Sequence, residues 1–259
     1  MNLPGYRLFQ RTVLDLTGID LDSYKGTQME RRLQTIMRRA GVSDLAAYAR
    51  LLSRCPERVK EFRDFLTINV SEWLRNPDKF EELQKVILPE LLKRNRTLRI
   101  WSAGCSNGSE PYSVAMLLDE IDPAGRHQIL ATDLDGEILK AARAGIYQER
   151  DLRNVSPARR ARYFTQEGPN FLLTDRLKAR VRFEQHNLLS DPFPTDLDLI
   201  LCRNVVIYFT EEAKDQLYRR FHAALKPGGI LFVGGTESLL KARELGYASV
   251  SPFFYRAVK

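Results

Sequence analysis

The chain has 259 residues, 44% of them hydrophobic, and a formal net charge of +7. That length suits one large domain or two modest ones with a sizeable core, and no apolar run reaches the roughly 18 residues that a membrane-crossing helix needs. The three cysteines, Cys55, Cys105 and Cys202, show no metal-ligand spacing, which argues against a metal site and for reduced thiols in a cytoplasm.

Residues 1–68 read as all-helical. Leu8, Val13, Leu14 and Leu16 give an apolar face to a helix that stops near Gly18. A second helix spans about 26–40, ends at Gly41, and carries the stripe Met29, Leu33, Ile36 and Met37. At 100° per residue, Arg31 and Arg38 fall on its opposite face, while Arg32 and Arg39 flank the stripe. Ser43 caps a third helix through Leu52, and Pro56 opens a fourth that runs to Phe65. Residues 76–95 read as a linker helix, with Pro77 near its start and Pro89 kinking or dividing it.

From Leu98 onward strand and helix alternate. Strands are predicted at 98–102, 128–132, 181–185, 197–202 and 229–234, and helices at 111–121, 135–144 and 211–225. Such alternation predicts an α/β domain over 96–259 with a mostly parallel sheet covered on both faces. A segment at about 147–182 is too long for an ordinary connection. It reads as an insertion with a short helix, S-P-A-R-R-A-R-Y-F, and a small hairpin turning at Gly168-Pro169-Asn170. The tail, A-S-V-S-P-F-F-Y-R-A-V-K, adds an antiparallel edge pair. The opening residues, M-N-L-P-G-Y-R-L-F-Q, lack the apolar stretch of a leader.

The stretch L-R-I-W-S-A-G-C-S-N-G-S-E-P-Y-S, residues 98–113, is a buried strand, a glycine turn and a helix start. This is the opening unit of a nucleotide-binding sheet. Gly104 and Gly108 are spaced G-x-x-x-G, which fits neither the dinucleotide fingerprint nor a phosphate loop. Glu110 stands where a phosphate would need a cation or a free amide. A carboxylate there suits a ligand with positive charge and no phosphate, such as S-adenosylmethionine. Asp133 closes the second strand 29 residues after Gly104, a position suited to ribose hydroxyls. Asn187 and Leu188 follow the third strand, where Asn can meet an adenine edge and Leu can cover the ring. Arg203, Asn204 and Tyr208 follow the fourth, at the edge where such folds bind ligands. Cys105 lies in the glycine loop, either as a reactive thiol or simply as a small residue that fits.

Charge is unevenly spread. Residues 1–75 hold 13 basic and 9 acidic residues, residues 147–182 hold 9 and 4, and the remainder 18 and 20. The basic excess therefore lies outside the nucleotide-binding core and points to an acidic partner.

The ordered set W-S-A-G-C-S-N-G-S-E-P-Y-S, A-T-D-L-D, G-I-Y, H-N-L-L, C-R-N-V-V-I-Y-F and L-K-P-G-G resembles the CheR family of chemotaxis receptor methyltransferases. So does T-I-N-V-S-E-W-L-R at 67–75. The resemblance spans the whole chain. It implies an all-α N-terminal domain over 1–75 that recognises receptors. A Rossmann-like class I methyltransferase domain then carries the β-containing insertion. It also implies methyl transfer from S-adenosylmethionine to glutamates on the acidic cytoplasmic helices of chemoreceptors, by a monomer that binds neither metal nor nucleic acid. By the same resemblance Asn69, Ser71, Arg75, Gly104, Glu110, Asp133, Asn187, Leu188, Arg203 and Asn204 contact the cofactor. Tyr208 lies beside the transferable methyl, and Arg75 orients a carboxylate. Arg31, Arg32, Arg38 and Arg39 form the receptor-reading row. Trp73-Leu74, Ser71 and Ser109 depart from the family's usual aromatics, threonine and glutamate. The compact turn at 165–170, with one glycine, points away from capture of a receptor tail. Methylation of another acidic protein or of nucleic acid is the alternative, and C-R-N-V-V-I-Y-F lacks the D/N/S-P-P-Y/F run of DNA amino-methylating enzymes.

Overall fold

The computed structural model describes residues 4–67 and 71–259. In chain order the helices are α1 (Tyr6–Thr17), α2 (Gly26–Ala40), α3 (Leu45–Arg54), α4 (Pro56–Leu66), α5 (Pro77–Glu82) and α6 (Leu88–Arg94). Then follow β1 (Arg99–Ala103), α7 (Ser109–Ile121), β2 (Gln128–Asp133), α8 (Gly136–Ala144), β3 (Ile146–Gln148), α9 (Pro157–Tyr163), β4 (Phe164–Glu167), β5 (Asn170–Leu173) and α10 (Asp175–Lys178). The chain closes with β6 (Val181–Gln185), β7 (Leu197–Cys202), α11 (Glu211–Ala224), β8 (Leu225–Val233), β9 (Tyr247–Ser251) and β10 (Phe254–Ala257).

Two compact units emerge. The first comprises Met1–Ile68, Asn187–Pro192 and Val205–Tyr218, and the second Asn69–His186, Phe193–Asn204 and Arg219–Lys259.

In the first unit, the predicted glycine stops hold. Gly18 and Gly41 adopt φ of 70° and 69° and turn their N–H groups back onto the ends of α1 and α2, a conformation that glycine adopts without a steric penalty. The cap of α3 is Asp44 rather than Ser43: its carboxylate accepts the Ala47 N–H at 2.7 Å. Both residue types cap helices, and one residue of register decides which side chain faces the free amides. Phe9 stacks on Tyr48 and meets Phe62 edge-on at 5.6 Å, filling the core between α1, α3 and α4.

In the second unit, a seven-stranded sheet runs in the order β6-β2-β1-β7-β8-β10-β9. The first five strands are parallel. The last two are antiparallel, as the tail predicted. Leu-Lys-Pro-Gly-Gly forms no separate turn. It is a bulge inside β8, where Leu225 pairs with Leu197 and Ile230 with Leu199. The insertion holds three strands in the order β3-β5-β4, one more than the expected hairpin.

From β1 the chain proceeds outward to β2 and β6, then returns to place β7 on the other side of β1. The order therefore reverses between β1 and β7, and it is beyond the carboxyl ends of such strands that open α/β sheets take their ligands.

Much of the basic excess of the insertion is neutralised within the unit. Asp119, buried in α7, accepts hydrogen bonds from Arg162, Arg176, Arg180 and the Tyr163 hydroxyl. Arg159 pairs with Glu120 at 2.7 Å, and Arg153 pairs with Glu72. These pairs fasten the insertion to the sheet domain.

Candidate active site

The upstream segment is built into the second unit by Trp73. Its ring is fully buried, stacked on Tyr112 and edge-on to Tyr147 and Phe164. Ser113 Oγ accepts the Leu74 N–H at 3.0 Å. Asn76 and Arg75 are thereby presented to β7: Arg203 Nη2 donates to the Arg75 carbonyl at 2.8 Å and to Asn76 Oδ1 at 2.7 Å. Asn69 lies outside the described residues. Ser71 precedes Trp73 and is half-buried.

Among the described residues, six non-glycine residues have positive φ, and four of them, Leu74, Asn76, Ser106 and Asn204, stand in this segment, the glycine loop or the turn after β7. Each costs on the order of 1–3 kcal/mol and persists only where the surroundings impose it, which is typical of functional sites.

At the end of β1, Gly104 turns with φ 85°, and the N–H groups of Gly104 and Cys105 both reach the Thr132 carbonyl. This ties the loop to the tip of β2. There Asp133 is 8% exposed. One of its oxygens accepts the Ser106 N–H at 2.8 Å and the other the Asp135 N–H at 3.0 Å. Burial raises its pKa above the ordinary carboxyl value, against the pull of those amides. Cys105 is buried and its thiol pKa is pushed up, chiefly by burial and then by Asp133. It is an inert small residue, not a reactive thiol.

Glu110 accepts a hydrogen bond from Ser102 Oγ at 2.7 Å and faces Arg203 Nη1 at 3.6 Å. Burial raises its pKa, and Arg203 opposes that. Arg203 is 6% exposed and packs against an edge-on pair of rings, 4.5 Å from the Phe232 centroid and 5.2 Å from that of Phe80. Asn204 follows at φ 61°, its N–H held by Glu237.

Arg203 Nε and Ser106 Oγ are buried with no hydrogen-bond partner among the described residues. Such atoms call for a polar ligand. Glu110, Glu237 and Asp133 against Arg203 make this edge of the sheet acidic, which suits a cationic ligand with hydroxyls and an amino group.

The other residues that the sequence singled out belong to the first unit. Asn187 Nδ2 donates to the Gly18 carbonyl at 2.9 Å and its Oδ1 accepts the Leu189 N–H, so it also shapes its own turn. Leu188 is buried. The Tyr208 carbonyl accepts the Lys25 N–H at 2.9 Å, and its side chain lines a small pocket with Tyr24, Met29, Arg32 and Leu66. On α2, Arg31 and Arg38 are exposed as their spacing predicts, and Arg32 and Arg39 lie over the Phe65 ring.

Residues 69–251 match the S-adenosylmethionine-binding domain of CheR methyltransferases, and residues 4–67 match the all-alpha domain of the same enzymes. The chain belongs to the CheR methyltransferase family. It is 39% identical to a chemotaxis protein methyltransferase of Listeria monocytogenes, with 96% of each chain covered. It is 38% identical to chemotaxis protein methyltransferase 1 of Pseudomonas aeruginosa, with 90% of each covered. As a CheR protein it is an S-adenosylmethionine-dependent methyltransferase. Its mostly parallel sheet behind an all-α domain is the architecture that the sequence predicted. Glu237 is a buried charge at this edge, 4% exposed, that the sequence did not point to. Only its place four residues past β8 marks it.

The acidity of this edge has a pH signature. A carboxyl group at this position binds an ammonium group only when ionised, and burial raises the Glu110 pKa. Affinity for S-adenosylhomocysteine is expected to fall as pH drops through that raised value, above the ordinary range near ~4.3. Titration calorimetry across pH checks this. Glu110→Gln weakens binding at neutral pH and removes that limb, leaving only the one from Asp133.

Proposed function

We propose that this protein transfers the methyl group of S-adenosylmethionine to glutamate side chains of chemoreceptors, forming methyl esters in sensory adaptation. The observation that carries this is the cluster of buried carboxylates, Glu110, Asp133 and Glu237, with Arg203 at the carboxyl edge of the parallel strands, in a chain whose α2 displays exposed arginines.

S-adenosylmethionine supplies a methyl on a positively charged sulfur, which a carboxylate oxygen can take in one displacement. Asp133 is suited to accept ribose hydroxyls, Glu110 to hold the amino group, and Arg203 with Asn204 to meet the amino-acid end. Arg75 donates no side-chain hydrogen bond among the described residues, and its planar fork is suited to orient a carboxylate. A glutamate is already ionised at neutral pH, with a pKa near ~4.3, so alignment replaces acid–base chemistry. Effective molarity can contribute roughly 7–11 kcal/mol. The low exposure of Glu110 and Arg203 keeps water from screening the charges that meet there.

Arg31 and Arg38 face solvent on α2, where they could lie along an acidic receptor helix. Each such pair contributes roughly 0.2–1 kcal/mol, so several act together and weaken with salt.

The test uses methyl-labelled S-adenosylmethionine with receptor cytoplasmic fragments, RNA and DNA. Alkali-labile label on the receptor is the expected result. Alkali-stable label, or label on nucleic acid, overturns the reading. Reversing Arg31 and Arg38 to Glu is expected to raise KM for the receptor several-fold and flatten its salt dependence, with affinity for S-adenosylhomocysteine unchanged. Coincident salt curves would remove α2 from receptor recognition.

A further inference from the structure

The same edge holds a buried carboxylate with no assigned role. Glu237 is 4% exposed and lies in the loop after β8. Its own N–H closes a turn onto the Gly234 carbonyl at 3.0 Å. Its Oε2 accepts two backbone amides, from Asn204 at 2.6 Å and from Gly234 at 2.8 Å. One oxygen thereby joins the loop after β7 to the loop after β8, across neighbouring parallel strands.

The space around that oxygen is tight. A Cβ added at Gly234 would stand 2.5 Å from Glu237 Oε2 and 2.9 Å from the Asn204 nitrogen. Only glycine lets the two loops approach this closely. Asn204 itself adopts φ 61°, a left-handed conformation that needs outside support. The hydrogen bond from its N–H supplies such support. Asn204 directly follows Arg203, whose guanidinium is fixed by Glu110, Asn76, the Arg75 carbonyl and two rings. The backbone turn between these two side chains is therefore anchored by Glu237.

We infer that Glu237 is a positioning residue that fixes the Arg203–Asn204 turn against the amino-acid end of the methyl donor. This rests on the function proposed above. Glu237 acts through geometry: the oxygen must reach both amides. It acts on one end of the ligand, because the adenosine side is served by Asp133 on β2, two strands away from β7.

Two conservative variants separate reach from charge. Glu237→Asp keeps the charge and withdraws the oxygen by about one bond length. Glu237→Gln keeps an accepting oxygen in place and removes the charge. Both are measured by calorimetry with S-adenosylhomocysteine and with adenosine, beside wild type, and by thermal unfolding. The expected result is a loss of tenfold or more in affinity for S-adenosylhomocysteine in Glu237→Asp, less than threefold loss in Glu237→Gln, and adenosine affinity within twofold of wild type in both. Equal losses for both ligands would make Glu237 a general structural residue and overturn the assignment. So would wild-type behaviour of Glu237→Asp, or a Glu237→Gln variant as weak as Glu237→Asp. A wild-type protein that binds neither ligand overturns the proposed function together with this inference, whereas the variant outcomes bear on Glu237 alone.

Discussion

Arg203→Ala is expected to lower the unfolding free energy by about 3–5 kcal/mol, the usual cost of removing one partner from a buried ion pair. The reason is the company Arg203 keeps. Glu110 and Glu237 both raise its pKa through their charges while burial lowers it, so it is the cation that permits two carboxylates at one buried edge. Its removal leaves Glu110 with Ser102 alone and deprives Asn76 Oδ1 and the Arg75 carbonyl of their donor. It also removes the cation that packs against the Phe232 and Phe80 rings. For a domain of this size the change corresponds to a fall in Tm on the order of 10 °C. The measurement is denaturant unfolding of the single variant, of Glu110→Gln, and of the double variant. Neutralising Glu110 beside Arg203→Ala is expected to restore part of the loss, because the uncompensated charge goes with it. Strictly additive losses would show that Arg203 stabilises by packing, not by charge.

The sequence carried the parts of this site that depend on local chemistry. Gly104 and Gly108 punctuate a strand-to-helix turn, and Asp133 ends an apolar strand. Cys202-Arg203-Asn204 does the same, so a parallel sheet delivers all three to one edge. In the first unit the stripe of α2 and the glycines at 18 and 41 state length and face within the segment, but the face of α1 differs from the predicted one: Tyr6, Phe9, Val13 and Thr17 are buried, whereas Leu8, Leu14 and Leu16 are exposed, because the aromatic rings and not the leucines meet α3 and α4. What stayed hidden depends on partners far along the chain. Nothing in T-E-S-L-L at 236–240 distinguishes Glu237 from a solvated glutamate, because its partner Asn204 lies 33 residues upstream in the next strand's loop. The basic insertion misled in the same way. Its composition suggests a free cationic surface, yet Arg162, Arg176 and Arg180 converge on Asp119, at a distance of 43 to 61 residues. Composition reports charge and not pairing. The third strand of the insertion, Ile146–Gln148, is too short for a period-2 pattern to register. Helix 77–94 contains a π turn at Leu83–Ile87, just before Pro89, where sequence indicated only a kink or break.

Asp133→Ala is expected to weaken S-adenosylhomocysteine binding by at least tenfold while the sheet persists. A lost hydrogen bond to a charged group is worth roughly 1.5–3 kcal/mol, which is about a tenfold to 150-fold change in Kd. The carboxylate holds more than a ligand, however. Its two oxygens fix the Ser106 and Asp135 amides. Asp135 in turn caps α8 by accepting the N–H groups of Glu137 and Ile138 at 2.9 and 3.2 Å. Ser106 sits at φ 50° and relies on that bond. Truncation therefore unties the glycine loop and the start of α8 together, and a fall in Tm accompanies the loss of affinity. Asp133→Asn separates the two effects. Its single carbonyl oxygen can satisfy one of the amides, so stability recovers in part, while the ionised acceptor pair suited to vicinal hydroxyls is gone. Adenosine and S-adenosylhomocysteine are expected to weaken by the same factor in this variant, because the hydroxyls are common to both. If Asp133→Asn recovers stability and binds both ligands as wild type does, Asp133 is a loop anchor and the ribose site lies elsewhere along the edge. A selective loss confined to S-adenosylhomocysteine would instead place the β2 tip against the amino-acid end and reverse the orientation of the ligand along the edge.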